Sequence, residues 1–372
     1  MTVCGRRIGA LILSAVLAGC ASSGRPDPTP LQPLAAKVAG RQVWKEDIGK
    51  VSFPLAVAVH AGVFTVADDS GLVLALQADT GKEVWRAKVG DKLSAGVGTD
   101  GRFTSVVTRD NQLVTLQAGK VAWRQALPSR VVTAPLVAGE RVFVLAVDRS
   151  VHAFDALDGR KLWTYQRPSD ALNLASAGVL MPFKDTLVVG QGAKLTGLDP
   201  LRGTSRWEAT LATPRGTNEV ERLADVVGPA VRVGDVICAR SYQAAVACVN
   251  AERGSTLWTR NAGGLAGVGA DDQMVVGVDA SDRVSAWKAG DGTPAWTVES
   301  LLYRSLSAPT VVGKAAVIGD LKGMVHWFSR DTGEAVLRLP TDGSAIKSTP
   351  AVSGLTVLVV TTDGGLHAFR PE

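Results

Sequence analysis

With 372 residues, 46% of them hydrophobic and 20% charged, the chain can bury a large core and lacks the composition of a disordered protein. Its formal charge of +5 is small for the length and includes no run of Lys or Arg, which argues against a nucleic-acid surface. Forty glycines suit a turn-rich, all-β protein.

Residues 1–19 form a segment of their own. Arg6 and Arg7 precede an apolar run, 8–17, that is half the roughly 20 residues of a membrane-spanning helix. Leu17-Ala18-Gly19-Cys20 follows and resembles a bacterial lipobox, with Cys20 as the lipidated first residue of the mature chain. An ordinary cleaved secretory signal is the alternative. Without Arg6 and Arg7 the charge falls to +3. Ala21, Ser22 and Ser23 supply no Asp after the cysteine, and by resemblance to that sorting pattern the expected address is the outer membrane. One acyl chain binds marginally, at about 0.8 kcal/mol per buried methylene, and several chains hold stably. Residues 20–38, rich in Pro and Ser, are expected to be a flexible tether. Residues 39–372 form the folded unit.

From there one short text is rewritten. Its clearest copy is VHAFDALDGRKLW, residues 151–163: an alternating apolar strand, an acidic turn, a Gly, and a Trp four residues later. The step recurs at Gly40/Trp44, Gly81/Trp85, Gly119/Trp123, Gly159/Trp163, Gly203/Trp207, Gly254/Trp258 and Gly292/Trp296, and at Gly333 with Leu337 in the Trp place. A period of about forty residues lies in the range of solenoids and propellers. In the third copy, strands are expected at 133–138, 141–147, 151–155 and 161–166, joined by tight turns into one antiparallel meander. The other copies cover 50–90, 91–128, 169–212, 220–263, 264–300 and 301–341. The last stretch, 346–370, supplies three strands, and the missing fourth stands at 41–47. A blade completed from both ends closes a ring and protects sheet edges. The expected fold is all-β: an eight-bladed β-propeller of four-stranded antiparallel blades, the N-terminal strand pairing with the last blade. Gly tolerates positive φ at the turn, and the Trp fills the wedge between blades with its N–H satisfied locally.

Chemistry is sparse. His152, His326 and His367 occupy one repeat position, so the ring disperses them, and His60 stands alone on a first strand. No HExxH, CxxC, P-loop or GxSxG motif is present. No catalytic residue, metal or cofactor is expected. Cys238 and Cys248 flank the hairpin 236–249 and could face each other; a disulfide and two small buried thiols are both open. The copies ALQADTGKEVW and AFDALDGRKLW resemble the repeat of pyrroloquinoline-quinone dehydrogenases, which makes a periplasmic quinone-dependent dehydrogenase the alternative function. The near-minimal blades and the absence of adjacent cysteines weigh against it.

The period breaks in two places. Trp-to-Trp steps of 41, 38 and 40 residues through Trp163 lengthen to 44 at Trp207 and 51 at Trp258, then return to 38 at Trp296. The excess lies in 168–182 and 211–229, connections that flank the fourth blade and should be neighbours in space. Leu172, Leu174, Val179, Leu180 and Met181 lie on the first; Arg215, Glu219, Glu221, Arg222 and Asp225 mix with Leu223 and Val226 on the second. Long loops that keep apolar side chains beside charges suit a protein interface.

The lipobox, the eight minimal Trp repeats, NEVERLADV before the fifth blade and LLYRSLSAPTV before the seventh together resemble the BamB family, lipoproteins of the outer-membrane β-barrel assembly machinery. The resemblance covers the whole mature chain. It implies a non-enzymatic scaffold on the periplasmic side of the outer membrane. Such a scaffold binds the periplasmic POTRA region of BamA and helps present nascent outer-membrane proteins. It carries the partner-binding leucines onto Leu172 and Leu174, with Leu223 beside them, and an acidic position onto Asp225. Two positions depart: a basic one is Ala175 here and a second acidic one is Val227. The charged contact is then expected to be weakened or moved to Glu221 or Arg222.

Overall fold

A computed structural model of the chain describes residues 25–167, 172–214 and 216–371. Cys20, the segment before it and Arg215 lie outside the described residues. All described regular elements are β-strands, arranged in eight four-stranded antiparallel sheets. Seven are consecutive meanders: 58–88, 98–126, 136–165, 180–210, 226–261, 268–298 and 310–340, here blades 1 to 7. Blade 8 takes Ala351–Ser353, Thr356–Val360 and Gly365–Pro371 and is completed by Gly40–Asp47. That closing pair runs in register from Gly40↔Pro371 to Asp47↔Gly365, with one irregularity between Gln42 and Trp44. The molecule is an eight-bladed β-propeller closed by its two ends.

The strand chemistry follows from the packing. Second and third strands are covered on both faces by neighbouring blades, so they are near-continuous buried runs; Phe103–Val107 is buried at all five positions, Thr104 and Ser105 included. Outer strands such as Glu83–Lys88 alternate, because one side meets water. Inner strands are shorter than the sequence suggests. In blade 3 the first strand is Leu136–Ala138 and omits 133–135, since Pro135 has no N–H for the ladder. Its carbonyl instead approaches the inner strand of blade 2, where a Cβ on Gly98 would stand 1.9 Å away.

Each Trp works one blade further on than its own glycine. Trp44 packs on Gly81 of the next blade, Trp123 on Gly159, Trp163 on Gly203 and Trp258 on Gly292; a Cβ on any of these glycines would lie 2.6–2.7 Å from the indole. Leu337 of blade 7 meets Gly40 of blade 8 in the same way and closes the circle. The indole N–H then donates to the next blade: Trp44 to Ala78 O at 2.9 Å, Trp123 to Ala156 O at 2.8 Å and Trp258 to Ala289 O at 2.8 Å. An indole wedge of this kind buries on the order of 200 Å².

In an up-and-down blade, the turns between second and third strands share one face of the ring with the connections to the next blade. We call this the crossover face. Residues 25–38 correct the expectation of a free tether. They carry no regular strand before Gly40, yet they lie along blades 6 and 7, with Thr29 N donating to Leu302 O and Lys37 N to Val336 O. Leu31 packs against the apolar cluster that includes Leu301 and Phe328. A stretch without hydrophobic periodicity can still dock when the scaffold offers it hydrogen-bond partners.

Candidate docking site on the crossover face

The two long connections meet, as their positions beside blade 4 require. Asp225, at the end of the second, accepts from the backbone N–H of Leu174 on the first at 2.8 Å. Its other oxygen accepts from Arg149 at 2.6 Å. Both side chains are nearly buried, 13% exposed for Arg149 and 12% for Asp225. Gly228 N donates to Ala177 O at 2.9 Å, and the two segments continue side by side into the inner strands of blades 4 and 5. One carboxylate therefore ties blade 3, the first connection and the second.

Arg149 was not legible as a site residue from motif or composition, but its repeat position carries a signal. In the six blades with four or five residues between second and third strands, the fourth residue after the second strand is Gly71, Asn111, Arg149, Asp282, Gly323 or Gly364, all with positive φ. Gly and Asn suit that conformation, and Arg does not. The chain accepts the conformation at Arg149 and uses the side chain to hold two connections. Gln191 donates to its carbonyl at 2.5 Å.

The second connection is shaped by its own polar groups. Glu221 accepts from Thr217 N at 2.8 Å and Asn218 accepts from Glu221 N at 2.9 Å, a reciprocal cap on a single turn. The Thr217 bonds hold the Glu221 carboxyl below its usual range. Around this turn Val220 is 69% exposed and Leu172 37%. Arg222, Glu219 and Ala175 are exposed, and Leu174 and Leu223 are half-buried. Between the connections lies a cavity of about 300 Å³ lined by Leu172, Pro214, Glu219, Arg222 and Leu223.

Two expected contact residues turn inward. Val227 is 1% exposed in the inner strand of blade 5, where its side chain belongs to the core. Asp225 faces Arg149 and Leu174 rather than solvent, so its direct role is within the site. Glu221 is exposed but engaged with its own loop, whereas Arg222, like Glu219, is exposed on the cavity wall.

The remaining polar residues are blade parts. His152 bonds Ser150 and Thr164, His326 bonds Asp320 and Arg338, and His367 bonds Gln42, each in a different blade. Burial pushes all three below the ordinary histidine range. Cys238 and Cys248 are cross-strand partners and are joined in a disulfide. Arg240 is buried beneath the next crossover, donating to Ala262 O and Gly263 O at 2.7 and 2.8 Å; desolvation lowers its pKa to about 10. The ring encloses a central cavity of about 610 Å³ with Phe53, Leu55, Val57, Met181 and Pro229 on its wall, and Lys347 is the one titratable residue among the described residues that line it. Among the described residues no group of three or more His, Cys, Asp or Glu could hold a metal ion. Among the described residues the wall of the central cavity carries no carboxylate.

The fold and these interrupted connections define the class: an eight-bladed Trp-repeat propeller with two extended connections on its crossover face. The family model for the outer membrane protein assembly factor BamB matches residues 34–94 and 69–298. The chain is 38% identical to the BamB of Burkholderia pseudomallei over 96% of this chain and 95% of that one. It is 33% identical to that of Bordetella pertussis over 97% and 96%. Among solved structures, BamB from Moraxella catarrhalis superposes with a TM-score of 0.81 at 23% identity, covering 89% of this chain and all of that one. A quinohemoprotein alcohol dehydrogenase from Comamonas testosteroni shares the propeller at a TM-score of 0.66 and 14% identity, covering 89% of this chain and 76% of that one, a likeness of fold alone. The chain belongs to the BamB family of outer membrane protein assembly factors.

Proposed function

We propose that this chain is a non-catalytic scaffold of the outer-membrane β-barrel assembly machinery. It docks the periplasmic POTRA region of BamA through the connections on either side of blade 4 and so aids delivery of nascent outer-membrane proteins. It is held to the outer membrane, facing the periplasm, by lipid on Cys20. The observation that carries this reading is the joint built on Asp225. It fixes the two longest departures from the repeat against each other and leaves Leu172 and Arg222 exposed around one cavity.

Truncating central apolar anchors of an interface costs about 2 kcal/mol or more, above tenfold in affinity. The paired substitution Leu172→Ala and Leu174→Ala is expected to lower co-purification with BamA by at least that factor while the melting temperature of the propeller holds. Undiminished co-purification would overturn the docking assignment. The non-catalytic reading has its own test: titration with pyrroloquinoline quinone and Ca²⁺ is expected to give no saturable chromophore and no dye reduction with alcohols or sugars.

A further inference from the structure

The second non-glycine, non-asparagine residue at the positive-φ turn position is Asp282, and it too holds a segment outside the repeat. Its carboxylate accepts from Ser305 N at 2.7 Å and Leu306 N at 2.9 Å on the connection between blades 6 and 7. It also pairs with Arg25, whose guanidinium donates to Ser305 Oγ at 3.0 Å. Asp282 is 4% exposed as a residue, so Arg25 meets a largely desolvated carboxylate.

The segment that starts at Arg25 is gripped along its length from a buried charged network. Asp320 accepts from Arg304 Nε at 2.8 Å and from His326 Nε2 at 3.0 Å, and Arg338 Nε donates to His326 Nδ1 at 3.3 Å. Each arginine has donors left for the segment: Arg304 reaches Thr29 O at 3.0 Å and Arg338 reaches Gln32 O at 2.9 Å. Leu31 inserts between these points, and Lys37 pairs with Glu334. Glu334 lies at the turn between the third and fourth strands of blade 7, on the face opposite the crossovers, whereas Asp282 lies on the crossover face. Residues 38 to 25 therefore climb the rim from one face of the ring to the other.

We propose that residues 25–38 are a docked strap that brings the membrane-attached end of the chain to the crossover face between blades 6 and 7, so that the face bearing the docking connections is turned toward the lipid surface. The proposal rests on lipid attachment at Cys20. Five residue steps separate Cys20 from Arg25, and an extended chain of that length spans at most about 18 Å. The strap thus shortens the leash to a few residues and sets the face from which it leaves. A free tether of residues 20–38 would impose neither limit.

The test uses the full lipoprotein in phosphatidylethanolamine–phosphatidylglycerol vesicles carrying an energy acceptor on the headgroups. A donor is placed on Lys322→Cys, at a crossover-face turn of blade 7, or on Lys314→Cys, at a turn on the opposite face of the same blade. Five-residue strands separate the two faces by about 17 Å, and transfer from position 322 is expected to exceed that from 314 by about twofold or more. Adding Arg25→Ala with Leu31→Ala should release the strap and bring the two positions to parity while near-ultraviolet circular dichroism stays unchanged. Vesicle binding with equal transfer, or greater transfer from 314, would overturn the orientation alone. Failure of the parent protein to float with vesicles, with no acyl mass on Cys20, would overturn it together with the anchoring assignment.

Discussion

Arg149 and Asp225 form a nearly buried ion pair across 76 residues of sequence, and the same carboxylate holds the backbone of Leu174. The acidic residue that the family resemblance marks as a partner contact here faces inward and positions the first connection. Replacing Arg149 alone leaves a desolvated carboxylate, a change that costs about 3–5 kcal/mol for a fully buried pair and less here, where each side chain keeps a little solvent contact. In a cycle of Arg149→Met, Asp225→Asn and the double variant, denaturant unfolding is expected to show a coupling energy of about 1–3 kcal/mol. The amide of Leu174 should lose hydrogen-exchange protection in Asp225→Asn. Additive effects with an unchanged Leu174 amide would mean that the pair does not hold the connection.

The Trp–Gly contact between blades separates two costs usually merged in one glycine. Gly292 and Gly234 both have positive φ, +70° and +58°, but Gly292 would place a Cβ 2.6 Å from Trp258 and Gly234 meets nothing within 4 Å. Both alanine variants carry the left-handed backbone cost of about 1–2 kcal/mol. Gly292→Ala is expected to lose a further 1–3 kcal/mol, roughly the cost of overpacking. Equal losses by calorimetry would remove the blade-to-blade role of the repeat.

Legibility in the sequence follows from repetition. Seven Trp and one Leu at one spacing made the blades, their number and the closing strand visible, because eight copies vote on each position. The docking connections were visible as failures of that spacing. Individual site residues were less so. Val227 stands by resemblance at the family's second acidic position, but the inner strand that begins at Val226 turns it into the core. Arg149 carries no signal in sequence beyond its turn; what sets it apart is a positive φ at the place of Gly71 and Gly323. The strap was hidden because its holders, Arg304 and Arg338, sit on a connection and an outer strand that otherwise read as surface, and their buried partners, Asp320 and His326, come from a turn and a neighbouring strand.

Val227 and Arg240 are directly opposed across the first two strands of blade 5. Arg240 is 1% exposed, and its Nε lacks a hydrogen-bond partner. Opposed side chains in an antiparallel pair stand about 5 Å apart at Cβ, so a carboxylate at 227 falls within reach of the buried guanidinium. Val227→Asp should therefore cost about 1 kcal/mol or less, against several for an unpaired buried carboxylate. The same substitution in an Arg240→Met background should show that larger loss. Equal losses in both backgrounds, by urea unfolding, would show that the two positions do not communicate.

Acid sensitivity follows from the three dispersed histidines. Burial is the leading cause of lowered affinity for a proton at each, with Lys161 beside His152, Lys45 beside His367, and Arg338 and Arg304 beside His326 adding to it; Asp148, Asp342 with Asp47, and Asp320 oppose it at the respective sites. Arg338 donates to His326 Nδ1, which requires that nitrogen to be unprotonated and places the proton on Nε2 toward Asp320. In the unfolded chain each histidine titrates near 6.5. Below that pH the unfolded state binds more protons than the folded one, so the histidines' contribution is complete above 6.5 and is lost as pH falls toward their folded values. The slope is at most about 1.4 kcal/mol per pH unit for each histidine. Asp320, held down to about 2, adds a separate loss only between its unfolded value near 3.8 and that point. Unfolding free energy is thus expected to fall steadily from pH 7 to 5, and His326→Gln, which can accept from Arg338 and donate to Asp320 without titrating, should flatten part of that fall. A profile level from pH 7 to 5 would show that the buried imidazoles are protonated at no cost to the fold.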